Sequence, residues 1–219
     1  MQTPRFPDRI AADRTDYAHA SLRREDLDAD PLRQFDAWFA HALEAKLREP
    51  NAMTLATVGE DGLPDARIVL LRGTAEGGFQ FFTNYESKKG RDLAARPVAA
   101  LVLFWKELER QIRIRGRVHR LDRERSHAYF VTRPRSSQLG AWLSRQSAEA
   151  PDGVDLPTEM TALEGRFAGG DVPLPAQWGG FHLTPDEFEF WQGRPSRLHD
   201  RFRYRRGEGG AWEIARFYP

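Results

Sequence analysis

The stretch ERQIRIRGRV, residues 109–118, places Ile112, Ile114 and Val118 on one side of an extended chain and Gln111, Arg113, Arg115 and Arg117 on the other. Period-two alternation of this length predicts a strand with one buried face, running over residues 111–121. Outward from it the same habit recurs at 53–58, 66–72, 79–83 and 98–104 on the N-terminal side. On the C-terminal side it recurs at 179–183, 188–191, 201–205 and 212–217. Turn signals such as Gly59-Glu60-Asp61-Gly62 and Gly77-Gly78 separate the early segments. Helical spacing interrupts them at 87–95, 122–132, 136–144 and 158–167. Ahead of all of them, Asp30 caps and Pro31 starts a helix whose apolar face is Leu32, Phe35, Trp38, Phe39, Ala42, Leu43 and Leu47, stopped by Pro50. Short strands at hairpin spacing with helices inserted, not alternating, predict a mainly β (α+β) fold: an antiparallel barrel, not a doubly wound sheet.

Residues 1–28 are polar without a sustained period and read as a mobile N-terminal arm, leaving 29–219 as a single domain. The Pro-, Gly- and Asp-rich stretch 148–177 reads as a surface excursion around one short helix, and no internal repeat is present.

The chain has 219 residues, 40% hydrophobic and 30% charged, which is an ordinary globular composition. Thirty-three Lys and Arg against 32 Asp and Glu leave a net charge of +1, so no global field draws in a polyanion and no nucleic-acid partner is expected. The absence of cysteine excludes disulfides, thiolate nucleophiles and Cys-ligated metal or iron–sulfur centres. The N-terminus lacks a signal-peptide apolar stretch, and the longest uncharged apolar run, 97–105, is too short to span a bilayer; the reading is cytoplasmic, with no membrane partner.

No GxGxxG after a strand, P-loop or GxSxG elbow is present, and the six histidines form no HExxH or similar pair, so no metal site is expected. Any phosphate must therefore be held by side chains, chiefly Arg, Lys, Ser and Tyr. The run WQGRPSRLHDRFRYRR, residues 191–206, adds aromatics and arginines around a small turn. Together with the arginine face of residues 111–117 it asks for an anionic ligand with flat rings, such as a phosphorylated heterocycle.

Several groups occur in order: Arg67-Ile68-Val69-Leu70-Leu71-Arg72, Phe81-Phe82-Thr83-Asn84, Ser87-Lys88-Lys89-Gly90, Leu108-Glu109-Arg110-Gln111 and Arg133-Pro134-Arg135-Ser136-Ser137-Gln138. They are followed by Ser144-Arg145-Gln146-Ser147, Trp178-Gly179-Gly180-Phe181 and the terminal RLHDRF. In this order and spacing, from about Arg14 to Pro219, the chain resembles the pyridoxine/pyridoxamine 5′-phosphate oxidase family. The resemblance implies a homodimeric FMN-binding split barrel with flavin at the subunit interface. It also implies oxidation of pyridoxine 5′-phosphate and pyridoxamine 5′-phosphate by molecular oxygen to pyridoxal 5′-phosphate, with hydrogen peroxide and, from the amine, ammonia.

Carried over by position, Arg67, Thr83, Lys88, Lys89, Gln146 and Ser147 would surround the FMN phosphate and ribityl chain. Ile68, Val69, Leu70, Leu71, Arg72 and Phe82 would complete the cofactor's wall, and Gln111, Trp191 and Arg201 would meet the flavin ring or its edge. The substrate phosphate would be held by Arg72, Tyr129, Arg133 and Ser137. Arg197 and His199, the expected catalytic pair, would face the pyridine with Leu198 between them, while Arg14 and Tyr17 would fold over bound substrate. Arg72 departs from the family's usual Lys, exchanging a point charge for a planar fork.

Readings from other classes are a non-catalytic flavin- or pyridoxal-phosphate-holding split barrel, a nucleic-acid-binding barrel, and a split-barrel flavin reductase fed by a nicotinamide. Turnover of pyridoxine 5′-phosphate without NADH or NADPH separates the last from the oxidase.

Overall fold

The structure, a computed structural model, describes residues 17, 18 and 20–219. Among the described residues five α-helices and eight strands follow in order: α1 (Pro31–Glu44), β1 (Ala52–Val58), β2 (Pro64–Leu70), β3 (Phe79–Asn84), α2 (Lys88–Ala95), β4 (Val98–Trp105) and β5 (Arg110–Arg120). The remainder are α3 (Arg123–Val131), α4 (Arg135–Leu143), α5 (Leu156–Arg166), β6 (Trp178–Gln192), β7 (Asp200–Arg206) and β8 (Trp212–Phe217). The strands form one sheet in the order β2-β1-β4-β5-β6-β7-β8, with β3 pairing β6 off that path.

The expected antiparallel β architecture with inserted helices is therefore present. In β5 the alternation falls as read: Ile112, Ile114, Gly116 and Val118 are buried, and Arg113, Arg115 and Arg117 are exposed. Asp30 caps α1 by accepting from the Leu32 N–H, as its position before Pro31 requires.

One difference is instructive. The sequence reads as two strands at 179–183 and 188–191, whereas β6 runs unbroken through both. Pro185 cannot donate to a ladder, but it falls beyond the last β3 pair, Phe79↔Leu183, so no β3 carbonyl is left without a donor there. The chain there also needs a glycine opposite it: a Cβ on Gly116 would stand 2.0 Å from the Thr184 carbonyl oxygen.

Contacts group the chain into two compact units where the sequence reads as an arm plus one domain. One comprises residues 49–103 and 113–188, the other the described residues up to 48 with 104–112 and 189–219. Within the first unit, β2-β1-β4-β5-β6-β3 form a ring. It closes through a single bridge, Gly73↔Gln80, between the chain just past β2 and β3. A ladder would make a seamless barrel; one bridge leaves it split along β2. Its core is Met53, Leu55, Leu101, Leu103, Phe79 and Phe81, with Phe81 stacked on Phe181 at 5.5 Å. A second cluster of Phe130, Leu139, Ala141, Val172 and Trp178 seats α3 and α4.

The other unit packs α1 through Trp38, edge-on to Phe190 at 5.2 Å, and Phe190 meets Tyr204 at 5.5 Å. The described part of the N-terminal segment is held here. The Leu22 N–H donates to Asp200, Arg194 donates to the Ala20 carbonyl, and the Tyr204 hydroxyl donates to the Asp28 carbonyl.

Candidate functional site

Along the split edge of the first unit lies a cavity of about 850 Å³. Its wall is β2, an edge strand, so the ligand space is open to a row of backbone groups as well as to side chains. Six cationic side chains line it, Arg67, Arg72, Lys88, Lys89, Arg91 and Arg133, against one carboxylate, Asp65.

Lys88 and Lys89 reach it from the first turn of α2. Ser87 caps that helix, accepting from Gly90 N–H and donating to the Asn84 carbonyl. Gly90 is required for this entry, because a Cβ there would lie 2.1 Å from the Tyr85 carbonyl oxygen. A helix N-terminus carrying two lysines is an anion-binding arrangement.

Lys89 is 7% exposed and donates to Gln146 Oε1 at 2.8 Å, Ser87 Oγ at 3.2 Å and Thr83 Oγ1 at 3.3 Å. No carboxylate among the described residues pairs with it. Burial, reinforced by the Arg67 charge, pulls its ammonium down to about 8. Gln146 also accepts from Thr83, and Asn84 donates to the Ser144 carbonyl, so the loop after α4 is tied to β3. Ser147, in that loop, holds a left-handed backbone at φ 70°, a strained conformation of the kind that collects at ligand sites.

A second cluster lies among α3, α4 and Trp178. Phe82 stacks on Tyr129 at 3.9 Å, Arg72 sits 5.9 Å over the Tyr129 ring, and Arg133 sits 4.5 Å over Trp178. Arg133 Nη1 is buried without a hydrogen-bond partner, an arrangement that a ligand oxygen would repair. Burial lowers the Arg133 pKa, Tyr129 opposes that and Arg72 adds to it. Two cation clusters in one cavity fit a ligand set bearing two phosphates.

Of the residues expected from the sequence, the structure brings Arg67, Ile68, Val69, Leu70, Arg72, Phe82, Thr83, Lys88 and Lys89 to this cavity, together with Tyr129, Arg133, Ser137, Gln146 and Ser147. Leu71 is absent from the lining: it is buried, and its backbone bonds to Asn51.

Gln111, Trp191, Arg197, Leu198, His199 and Arg201 belong to the other unit, as does Tyr17. There Trp191 and His199 are 4.7 Å apart, and Tyr17 packs edge-on to both, at 5.7 and 5.8 Å. The Arg194 N–H donates to His199 Nδ1, which fixes Nδ1 as an acceptor. Burial, then the Arg197 charge, lowers the His199 pKa, and Asp200 opposes the shift. Ser196 and Arg197 both hold positive φ, 55° and 60°, and present an exposed Arg197. Arg201 is engaged with Glu189 at 2.9 Å and with the Tyr218 carbonyl, while its buried Nε lacks a partner. Arg14 lies outside the described residues.

Asp65, Asn84, Arg91, Ser144 and Trp178 line the cavity without having been expected there. For Asp65 a signal existed, since it stands two residues before Arg67 and so on the same strand face.

Residues 39–161 match the family model described as pyridoxamine 5′-phosphate oxidase. Residues 178–219 match the pyridoxine 5′-phosphate oxidase C-terminal dimerisation region. A pyridoxine/pyridoxamine 5′-phosphate oxidase of Burkholderia lata is 54% identical over 208 residues, 94% of this chain and 97% of the relative. One from Ralstonia pickettii is 54% identical over 210 residues, 96% and 99% of the two chains. Among solved structures, PhzG of Burkholderia lata in complex with tetrahydrophenazine-1-carboxylic acid superposes with a TM-score of 0.84 at 31% identity, covering 89% of this chain and 95% of that one. An FMN-binding protein of Nostoc punctiforme related to pyridoxamine 5′-phosphate oxidase shares the fold, with a TM-score of 0.68 at 19% identity over 86% and 97%.

Proposed function

Because the chain belongs to the pyridoxamine 5′-phosphate oxidase family, we propose that it binds FMN and oxidises pyridoxine 5′-phosphate and pyridoxamine 5′-phosphate to pyridoxal 5′-phosphate. Molecular oxygen is the acceptor, hydrogen peroxide the co-product, and water releases ammonia from the amine. Bound FMN supplies the two-electron acceptor of this chemistry. The observation that carries the reading is the cavity's cation excess, divided between a Lys88/Lys89/Arg67 cluster and an Arg72/Arg133 cluster whose Nη1 donor is unpaired.

In this reading Arg67, Lys88, Lys89 and Thr83 hold the cofactor phosphate, Gln146 and Ser147 follow the ribityl chain, and the β2 backbone borders the ring. Arg72, Tyr129, Arg133 and Ser137 hold the substrate phosphate and so set where the pyridine lies. The protein acts as a homodimer with FMN at the subunit interface; the match to a dimerisation region supports this. Gln111, Trp191 and Arg201 then serve the flavin's edge, and Arg197 and His199 the pyridine. Arg197, exposed on a strained turn, is free to stack on an aromatic ring.

Arg133→Met tests the division of the cavity. A charge-assisted hydrogen bond contributes about 1.5–3 kcal/mol, so KM for both B6 phosphates should rise about ten- to a hundredfold with flavin retained. Loss of flavin instead would move Arg133 to the cofactor phosphate. Conversion of either substrate should stop after a single turnover when air is excluded. Conversion that requires a nicotinamide would favour the reductase reading.

A further inference from the structure

Arg67 in this structure is already held by the protein through three of its five N–H donors. Its Nη1 donates to the Leu55 carbonyl at 3.2 Å and to Thr57 Oγ1 at 2.7 Å, and its Nη2 donates to Asp65 Oδ2 at 2.6 Å. Two carboxylates stand beside it, and they differ in kind. Asp92 is 7% exposed, accepts from Thr57 at 2.7 Å and pairs with Lys88 at 3.3 Å. It is a fixed counter-ion under the site. Asp65 is 38% exposed, lines the cavity, and touches Arg67 at 2.6 Å and Lys88 at 3.6 Å. It occupies the ligand side of the two cations.

We propose that Asp65 is a resident carboxylate that stands in for the cofactor's phosphate on Arg67 and Lys88 and is displaced into solvent when the phosphate binds, so that it sets how tightly a phosphate-bearing flavin is held. The inference rests on the FMN reading above and adds a specificity-determining residue to it. The geometry points to an exchange: a phosphate drawn to Arg67 and Lys88 meets a carboxylate already paired with both, and Arg67 Nη2 can donate to the phosphate in its place. Of the partners of Arg67, Asp65 is the most exposed, and rehydrating an exposed carboxylate costs little, whereas stripping Asp92 would leave a buried charge unpaired. The direction of the Asp65 pKa agrees. Desolvation pushes it up, but the charge and hydrogen bond of Arg67, the Ala66 N–H and the Lys88 charge together outweigh that and hold it below the usual carboxylate range, so it is ionised and competes at neutral pH.

The test is the dissociation constants of FMN and of riboflavin, which lacks the phosphate, measured by flavin fluorescence quenching at a pH well below 8, where Lys89 carries its charge. Asp65→Asn keeps the shape and removes the competing charge. It should tighten FMN about three- to tenfold and leave riboflavin unchanged. Asp186→Asn, which removes the same charge from an exposed position outside the cavity lining, should change neither.

Unchanged or weaker FMN binding in Asp65→Asn would overturn the proposal and make Asp65 a positioning partner of Arg67. Equal tightening of riboflavin, or tightening by Asp186→Asn, would overturn it in favour of a general charge effect. A wild-type protein that binds neither flavin would instead refute the FMN reading itself.

Discussion

Lys89 shows how a single buried cation ties ligand affinity to pH. Its pKa of about 8 follows from burial and the nearby Arg67 charge, and the ammonium is the form an anion requires. FMN affinity should therefore be greatest below that value and fall as pH rises through it. Lys89→Ala should bind weakly throughout and show no such step, measured by equilibrium titration; a step that persists would assign it to another group. Arg197→Met should lower kcat by roughly two orders of magnitude, about 2.7 kcal/mol of barrier, without releasing flavin. Flavin loss would place Arg197 at the cofactor. At this scale five of the six cations of the cavity were legible in the sequence because each sits in a recognisable motif. Arg91, on α2, was not, because it reads equally well as a solvated helix face, and Asp65, although two residues from Arg67, reads equally well as a solvated strand face. Nor does the sequence show that Arg201 is held by Glu189, since twelve residues and a turn separate them.

Elements were read more securely than their joins. Alternation in β5 and the Asp30–Pro31 start of α1 each rest on local chemistry, and both stand where the pattern puts them. The unbroken course of β6 through Pro185 was hidden, because whether a proline is tolerated depends on what lies beside the strand, which is non-local information. Gly116→Ala should destabilise the fold by about 1–3 kcal/mol in denaturant unfolding, since its Cβ would collide with the β6 backbone at Thr184. Wild-type stability would contradict that close approach.

The β6 residue His182 provides a pH test of the same unit. It is 2% exposed, its Nδ1 has no partner, and its ring lies 4.8 Å from that of His119. Burial, then His119, lowers its pKa, with Glu76 opposing and Arg125 reinforcing the shift. The unfolded chain thus takes up this proton more readily than the folded one. Stability is intact above about 6.5 and is lost as pH falls through the lower folded-state value. His182→Gln should flatten the acid-side decline in melting temperature; an unchanged slope would assign the decline elsewhere.

At the scale of the whole molecule, the barrel left open along β2 explains why the ligand space lies at an edge and not inside the ring. A single bridge at Gly73↔Gln80 leaves the strand wall exposed, and Arg67 and Arg72 of β2 and the chain just past it, the cations of α2 and Arg133 after α3 converge on it. The antiparallel class was legible from strand spacing alone. The grouping into two compact units was not, because β4, β5 and β6 each run through both groupings and carry no composition break. As a homodimer the protein should sediment at about twice 25.1 kDa; a monomer that retains full activity would contradict the proposed interface site. The most direct measurement of the central claim is oxygen uptake by the purified, FMN-supplied protein, recorded with its visible spectrum. The account expects a flavin spectrum and one molecule of oxygen consumed for each pyridoxal 5′-phosphate formed, from the alcohol and the amine alike. A colourless protein that takes up no oxygen with either substrate would contradict it.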